Sequence, residues 1–410
     1  MTNQQDLRSP FVLHTRVVTG TGGGPEKTIL NSPRFLAEHG IDSACLFMRP
    51  PGDSGFQTLE QKAQSSNAEI IGVDDRGPFD RSVVSQCLEV CRQKNVTVWH
   101  AHDYKSNAVG LMVKRHHPMH LVTTTHGWVR KTWKTPLYYA IDRYCLKRYQ
   151  QVVCVSQDLH DACQKLNVAN DRLHLIDNAI VADDYDISAS TSLERAALRT
   201  PSGRILLGAC GRLSEEKGFD LLITAVTQLV KEGFDVGLVI AGEGHLKEQL
   251  QQQINEAGMH DRIQLAGFLS DPRTLYRAID VFVLSSLREG LPNVVLEAMA
   301  SGRAVLTTRC NGIPRLVTDQ QNGIVIDCGS AQQLHSGLQA LLKNPQLRTD
   351  LANAGRQTVE TNFSFRHRMH RMVEVYDNLP EFQNRRSAAG KVQPTESASI
   401  QLTTTDLASE

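Results

Sequence analysis

The sequence predicts an α/β protein built as two doubly wound domains facing a cleft, and three observations predict it. Short apolar runs alternate with amphipathic helical stretches, the signature of βαβ units around parallel sheets. The alternation pauses over a polar, small-residue-rich stretch between about Val181 and Ser202 and then restarts. The chain has 410 residues, 40% of them hydrophobic and 21% charged, which suits two globular domains at about 100–200 residues each.

In the first domain, residues 1–185, FVLHTRVV (11–18) reads as a strand and PEKTILNSPRFLAEHG (25–40) as a helix ending on Gly40. SACLFM, AEIIGV, TVWHAH, HLVTTTH and QVVCVS follow as strands, with helical patterns such as DRSVVSQCLEVCRQK between most of them. Residues 186–202 form a linker. The second domain, 203–362, alternates again from RILLGAC through the helix KGFDLLITAVTQLVKEG to the strands DVGLVIAG, RIQLAGF, DVFVLSS, AVLTT and GIVID. The helix LPNVVLEAMASG separates DVFVLSS from AVLTT. A last amphipathic helix, FRHRMHRMVEVYDNL, lies in a segment (363–382) expected to pack back on the first domain, and 383–410 has the composition of a disordered tail. Sheets of this kind bind ligands beyond the carboxyl ends of their strands, so the chemistry belongs in the loops that follow them.

Bulk properties exclude several classes. Formal net charge is zero, which argues against a nucleic-acid partner, whose footprint is a basic excess. The nine cysteines are scattered without metal-knuckle or redox spacing and read as reduced, mostly buried thiols. MTNQQDLRSP has no apolar signal core, and no stretch approaches the ~18 apolar residues of a membrane span. The expected location is cytoplasmic.

Two segments carry chemistry. In SLREGLPNVVLEAMASG (286–302), Glu289 sits in the loop after a strand and Glu297 about a turn inside the helix opened by Pro292. Seven residues separate the two carboxylates, so they can meet one elongated ligand at two points, and the unpaired amides at the helix start favour an anion. In GACGRLSEEKGFD (208–220), Gly211, Arg212 and Lys217 follow the strand RILLGAC. An Arg fork and a Lys point charge together can neutralise a departing diphosphate without a metal.

The combination resembles the retaining glycosyltransferases of family 4, of the two-domain, Rossmann-like GT-B fold. The match rests on Gly211-Arg212-Leu213 with Lys217-Gly218, and on Glu289-Gly290-Leu291-Pro292 running through Glu297-Ala298-Met299-Ala300-Ser301-Gly302, with AGEGHLKEQL and NGIPRLVTDQQNGIVI in support. The resemblance implies that Glu297 binds the ribose hydroxyls, Glu289 meets the transferred sugar, and Arg212 and Lys217 hold the diphosphate. It also implies that the loop amides around Gly290, Leu291, Pro292, Asn293 and Val294 contact sugar and phosphate, and that no metal cofactor is needed. The expected co-substrate is a nucleotide diphosphate-sugar and the acceptor a glycan or lipid-linked molecule.

The first domain agrees through VVTGTGGGPEKT (17–28), where Gly23 and Gly24 let backbone approach the donor closely. A P-loop would need Gly before its Lys, where Glu26 stands, and a dinucleotide fingerprint would need Gly at Pro25. His126, ending HLVTTTH, matches a family histidine that contacts the donor sugar. In WHAHDYKS, His100 and His102 have the spacing of a metal pair, but Tyr104 and Lys105 break the dinuclear hydrolase pattern, and Asp103 is the preferred acceptor-side residue. The basic and aromatic segment 127–150 suits an anionic membrane surface or, equally, a half-buried helix. Two alternatives share this architecture: a noncatalytic sugar-nucleotide binding protein and a sugar-nucleotide epimerase.

Overall fold

Strands covered by helices on both faces have no polar side to present, and VGLVIA (Val236–Ala241) and VFVL (Val281–Leu284) are buried along their whole length. The computed structural model describes residues 10–20, 24–78, 80–127, 135–185, 192–198, 203–380 and 382. Its first sheet is built from β1 (Phe11–Val17), α1 (Gly24–Ala37), β2 (Asp42–Arg49), α2 (Phe56–Ser65), β3 (Ile70–Asp74), α3 (Ser82–Gln93), β4 (Val98–Ala101), α4 (Tyr104–Val113), β5 (His120–Thr125), α5 (Thr135–Leu146), β6 (Gln151–Cys154), α6 (Gln157–Lys165) and β7 (Leu173–Leu175). The strands lie in the order β3-β2-β1-β4-β5-β6-β7, every pairing parallel.

After α7 (Ser192–Ala197), the second unit runs β8 (Ile205–Cys210), α8 (Phe219–Lys231), β9 (Val236–Ala241), α9 (Lys247–Glu256), β10 (Ile263–Gly267), α10 (Arg273–Ala278), β11 (Val281–Leu284), α11 (Asn293–Ala300), β12 (Ala304–Thr308), β13 (Ile324–Ile326), α12 (Ala331–Lys343) and α13 (Pro345–Thr358). Its strand order is β10-β9-β8-β11-β12-β13, again parallel. Each sheet reverses its winding once, between β1 and β4 and between β8 and β11. A crevice opens at such a switch point because the flanking loops diverge to opposite faces.

The chain then returns. Ile180 N donates to Phe363 O at 3.1 Å and Phe365 N to Ile180 O at 2.7 Å. α14 (Phe365–Asp377) buries Phe365, Met369, Met372, Val375 and Tyr376 in a cluster with Val12, Val98, Val122 and Val153 of the first sheet and Phe35 of α1. Full burial of each such side chain is worth roughly 1.5–3 kcal/mol before entropy, so α14 is part of the first domain's core although it comes last in the chain. Arg368, 2% exposed, caps the arrangement by donating to the carbonyls of Ile176 and Asp177. The tail 383–410 lies outside the described residues.

Candidate functional site

Two loops at the second switch point are fastened together by backbone. Gly218, at φ 60°, ends the turn that carries Lys217, and a Cβ there would lie 2.4 Å from Ser285 O. Only glycine supplies both that conformation and that approach. Leu287 N donates to Glu216 O at 2.8 Å, and Ser285 Oγ to Lys217 O at 2.8 Å. The result brings Lys217 Nζ to 2.6 Å from Glu289 Oε1, which also accepts from Ser286 Oγ at 2.7 Å. Both members of the pair are largely shielded, their side chains 19% and 13% exposed. Arg212 stands exposed in the same loop, beside the half-buried Gly211.

α11 begins at Asn293, with Pro292 as its N-cap at φ −79° and ψ 113°. The helix therefore starts one residue later than expected: the proline ring tolerates this φ, but the extended ψ keeps Pro292 outside the first turn. Gly290 is exposed, Leu291 and Val294 are half-buried, and Asn293 is exposed. Glu297, 8% exposed, faces inward from the second turn. Tyr276 OH donates to its Oε2 at 2.9 Å, and Lys27 Nζ of α1 approaches Oε1 at 3.5 Å from the other domain. Lys27 also donates to Tyr185 OH at 3.0 Å. Burial, followed by the Glu297 charge, raises the phenol pKa of both Tyr276 and Tyr185, so both remain protonated. Tyr276, Tyr185 and Lys27 escaped the sequence reading, because they come from three other elements and nothing in their local pattern names a carboxylate partner. A cleft of about 580 Å³ is lined by Lys27, Asn31, Arg34, Tyr185 and Arg273 among others, but not by Glu297, Glu289, Lys217 or Arg212. That volume is within the range of small-molecule sites.

The loops after β1, β4 and β5 form the opposite wall. Gly23 lies outside the described residues, and Gly24 opens α1. Asp103 is engaged by backbone amides. Its Oδ1 accepts from Lys105 N and Ser106 N at 2.9 Å, capping α4, and its Oδ2 accepts from Val17 N at 2.6 Å. With both oxygens bound to backbone amides, it fixes the β1 and β4 loops.

His126 is half-buried after β5 and bonds through Nε2 to His102 Nδ1 at 3.2 Å. His102 Nε2 lies 3.1 Å from His14 Nδ1, and His100 is held between Tyr376 OH at 2.6 Å and Thr124 Oγ1 at 2.8 Å. His14, His100 and His102 bring nitrogens within 4.8 Å of one another, yet these hydrogen bonds engage every ring nitrogen of the three except His14 Nε2. Burial holds His14 and His126 down at about 3 and the other two well below their ordinary value, so all four rings are neutral at physiological pH. The sequence showed His126, but not the chain of rings behind it.

In the segment expected to meet a membrane, residues 128–134 lie outside the described residues, including Trp128, Trp133, Arg130, Lys131 and Lys134. Tyr149 belongs to the core instead, buried and donating to Asn107 O at 2.9 Å, and buried Asp142 accepts from Asn107 Nδ2 at 2.7 Å. Ile141 and Tyr144 are exposed on α5, flanked by exposed Arg143, Lys147 and Arg148. Among the described residues no helix is long and apolar enough to cross a membrane.

Known proteins divide the chain in the same way. Residues 22–184 match the model of Glycosyltransferase Family 4, and residues 190–358 that of the glycosyl transferases group 1. The lipopolysaccharide core biosynthesis glycosyltransferase LpsE of Rhizobium meliloti is 35% identical over 173 residues, 42% of this chain and 50% of that protein, so the chain matches half the length of that relative. LpsD of the same organism, of the same description, is 26% identical over 361 residues, 87% of this chain and 96% of that protein. Among solved structures, Anabaena HepE in complex with UDP superposes with a TM-score of 0.74 at 19% identity, covering 90% of this chain and all of that one. A glycosyltransferase from Rickettsia africae gives 0.74 at 18% identity, with 90% and 98% covered. With both halves matched and the double-sheet architecture shared, the chain belongs to the group 1 glycosyltransferases and has their GT-B fold.

Proposed function

We propose that the protein transfers a sugar, with retention of anomeric configuration, from a nucleotide diphosphate-sugar to a glycan or lipid-linked acceptor in polysaccharide or glycoconjugate biosynthesis. The observation that carries this reading is the division of labour along one loop and helix. Glu289 is paired with the cation Lys217, and Glu297, set deeper, is held by Tyr276 and reached by Lys27 from the facing domain. A donor laid along this element meets Glu297 with its ribose, Lys217 and Arg212 with its diphosphate, and Glu289 with its sugar. Relatives support the setting: LpsD is named for lipopolysaccharide core biosynthesis, and HepE has been crystallised with UDP-glucose.

Catalysis in this reading is electrostatic. Lys217 and Arg212 stabilise the leaving diphosphate without a metal, and Glu289 orients the sugar as its anomeric carbon becomes cationic. Neutral His126 offers the sugar a hydrogen bond without adding a positive charge. The acceptor attacks from the face the diphosphate leaves, and a donor phosphate oxygen takes its proton. Docking of the first domain on an anionic membrane surface is part of this reading, supported by the exposed apolar and basic residues at the end of α5 and in the turn after it. A thermal-shift panel of UDP-, GDP- and ADP-sugars, followed by donor hydrolysis with and without chelator, tests the reading. Stabilisation by one donor, with hydrolysis that survives chelation, is expected. Stabilisation without turnover would favour a noncatalytic binding protein.

A further inference from the structure

β12 and β13 run parallel in register, with Thr307 opposite Val325 and Thr308 opposite Ile326. Arg309 N donating to Ile326 O at 2.7 Å carries the pairing just past the strand ends, and Cys310 N then turns back to Thr308 O at 2.8 Å, bringing Cys310 beside Cys328. The two sulfurs lie 3.6 Å apart. A disulfide S–S bond is about 2.05 Å long, so the sulfurs have only about 1.5 Å to close. Cys328 is exposed and Cys310 buried.

Cys310 is wired to the loop that carries Glu289. Its Sγ donates to Ser286 O at 3.0 Å, and Ser286 Oγ donates to Glu289 Oε1 at 2.7 Å. Two residues on, a Cβ added to Gly312 would sit 1.8 Å from Gly290 O. The turn after Cys310 therefore rests directly on Gly290 and Leu291, with no slack between them.

We propose that Cys310 and Cys328 form a reversible disulfide, made by exchange with a low-molecular-weight disulfide such as oxidised glutathione, and that the bond reshapes the Ser286–Leu291 loop. The exposed Cys328 thiolate attacks the small disulfide, forming a mixed disulfide and expelling one thiolate. Cys310 then gives its proton to solvent and attacks Cys328 Sγ, expelling the second. Two protein thiols lose two electrons and two protons, and the small disulfide is reduced to two thiols. Burial, the largest influence, raises the Cys310 thiol pKa, so Cys310 does not start the exchange; its 3.6 Å proximity to Cys328 Sγ is what favours the second, resolving step. Once its sulfur is bonded to Cys328, Cys310 has no S–H to donate to Ser286 O, and the backbone behind Gly290 is pulled toward β13. That this loop holds the sugar donor rests on the function proposed above; the disulfide itself does not.

The test uses the full chain, equilibrated in glutathione buffers of rising oxidised fraction, then alkylated and mapped by peptide mass spectrometry, with hydrogen–deuterium exchange on the same samples. The expected result is a Cys310–Cys328 cross-link and about tenfold faster exchange in peptides covering 286–294, both reversed by dithiothreitol. Cys328→Ser, a surface change, should show neither effect. Cys154 and Cys163, whose sulfurs are 3.8 Å apart but both buried, should stay reduced and serve as the internal control. A stable glutathione adduct on Cys328 with Cys310 still free would overturn the proposal. A cross-link that leaves exchange in 286–294 unchanged would overturn its conformational half. Neither readout uses a sugar donor, so failure here and failure of the transferase reading remain distinguishable.

Discussion

Glu289 and Glu297 belong to one segment but keep different company. Glu297 is 8% exposed and accepts from a buried tyrosine, while Glu289 shares a shielded ion pair with Lys217. If Glu297 binds the ribose, which donor and product nucleotide share, Glu297→Gln weakens both by about tenfold to a hundredfold, the worth of a charge-assisted contact. Glu289→Gln leaves nucleotide binding nearly intact and reduces turnover. Calorimetry with product nucleotide beside steady-state kinetics checks both, and the reverse pattern would mean the donor lies the other way along the motif. Arg212→Ala and Lys217→Ala are each expected to lower turnover by about a hundredfold or more with the fold retained; near-normal rates in both would remove them from the diphosphate. These four residues were legible because their spacing around two strand ends is local in sequence. Tyr276, Tyr185 and Lys27 were not, since each reaches Glu297 or its neighbours from a distant element. The capping role of Asp103 was not legible for a related reason: a helix-capping aspartate and a ligand-binding one look alike until the amides it accepts from are seen.

Elements were legible where periodicity is strong. The alternating runs of the second domain correspond to β8 through β13, because parallel strands buried on both faces form continuous apolar runs. α4 was missed as a named helix because it has no polar face to create a period. Ser106, Asn107, Val109, Gly110 and Val113 are all buried, and a Cβ on Gly110 would lie 2.6 Å from both Trp99 Nε1 and Tyr149 OH. The short edge strand β7 has only three residues and too little pattern to register. α5 presents the remaining functional question at this scale. It exposes Ile141, Arg143 and Tyr144, and the turn that follows it exposes Lys147 and Arg148. Such a face is expected to bring the protein down with phosphatidylglycerol vesicles at low salt. Each basic side chain near the surface contributes about 1 kcal/mol, so Lys147→Ser with Arg148→Ser should reduce the bound fraction strongly, and Ile141→Ser with Tyr144→Ser should reduce it at any salt concentration. Sedimentation unchanged in both double variants would leave α5 an ordinary solvated helix.

At the scale of the molecule, the chain crosses between its domains twice, and the second crossing ends in a buried titratable cluster of His14, His100, His102 and Arg368. α14 brings Tyr376 onto His100, and the buried Arg368 adds its charge to burial in depressing the His14 pKa. This makes folding sensitive to pH in a definite direction. His14 has its folded pKa lowered to about 3, and His100 and His102 lie well below 6.5. Above pH 6.5 these rings are neutral in both folded and unfolded chains and contribute no pH dependence. Below it the unfolded chain takes up protons that the folded one refuses, so stability is lost as pH falls from about 6.5 toward the folded values. Each ring that stays neutral steepens the loss by about 1.4 kcal/mol per pH unit, and all three together approach about 4 kcal/mol per unit. Carboxylates act in a lower window. Glu38, Asp235 and Asp271, held low by hydrogen bonds from Arg366, Arg262 and Arg273, withdraw their stabilisation only as pH falls through and below their unfolded values near 4. Urea unfolding of the full chain at half-unit steps from pH 7.5 to 5 separates the two. The expected curve is flat above pH 7 and falls steeply between 6.5 and 5, before the carboxylates titrate. A flat profile down to pH 5 would mean that the histidine cluster takes up protons in the native state, and that α14 does not seal it.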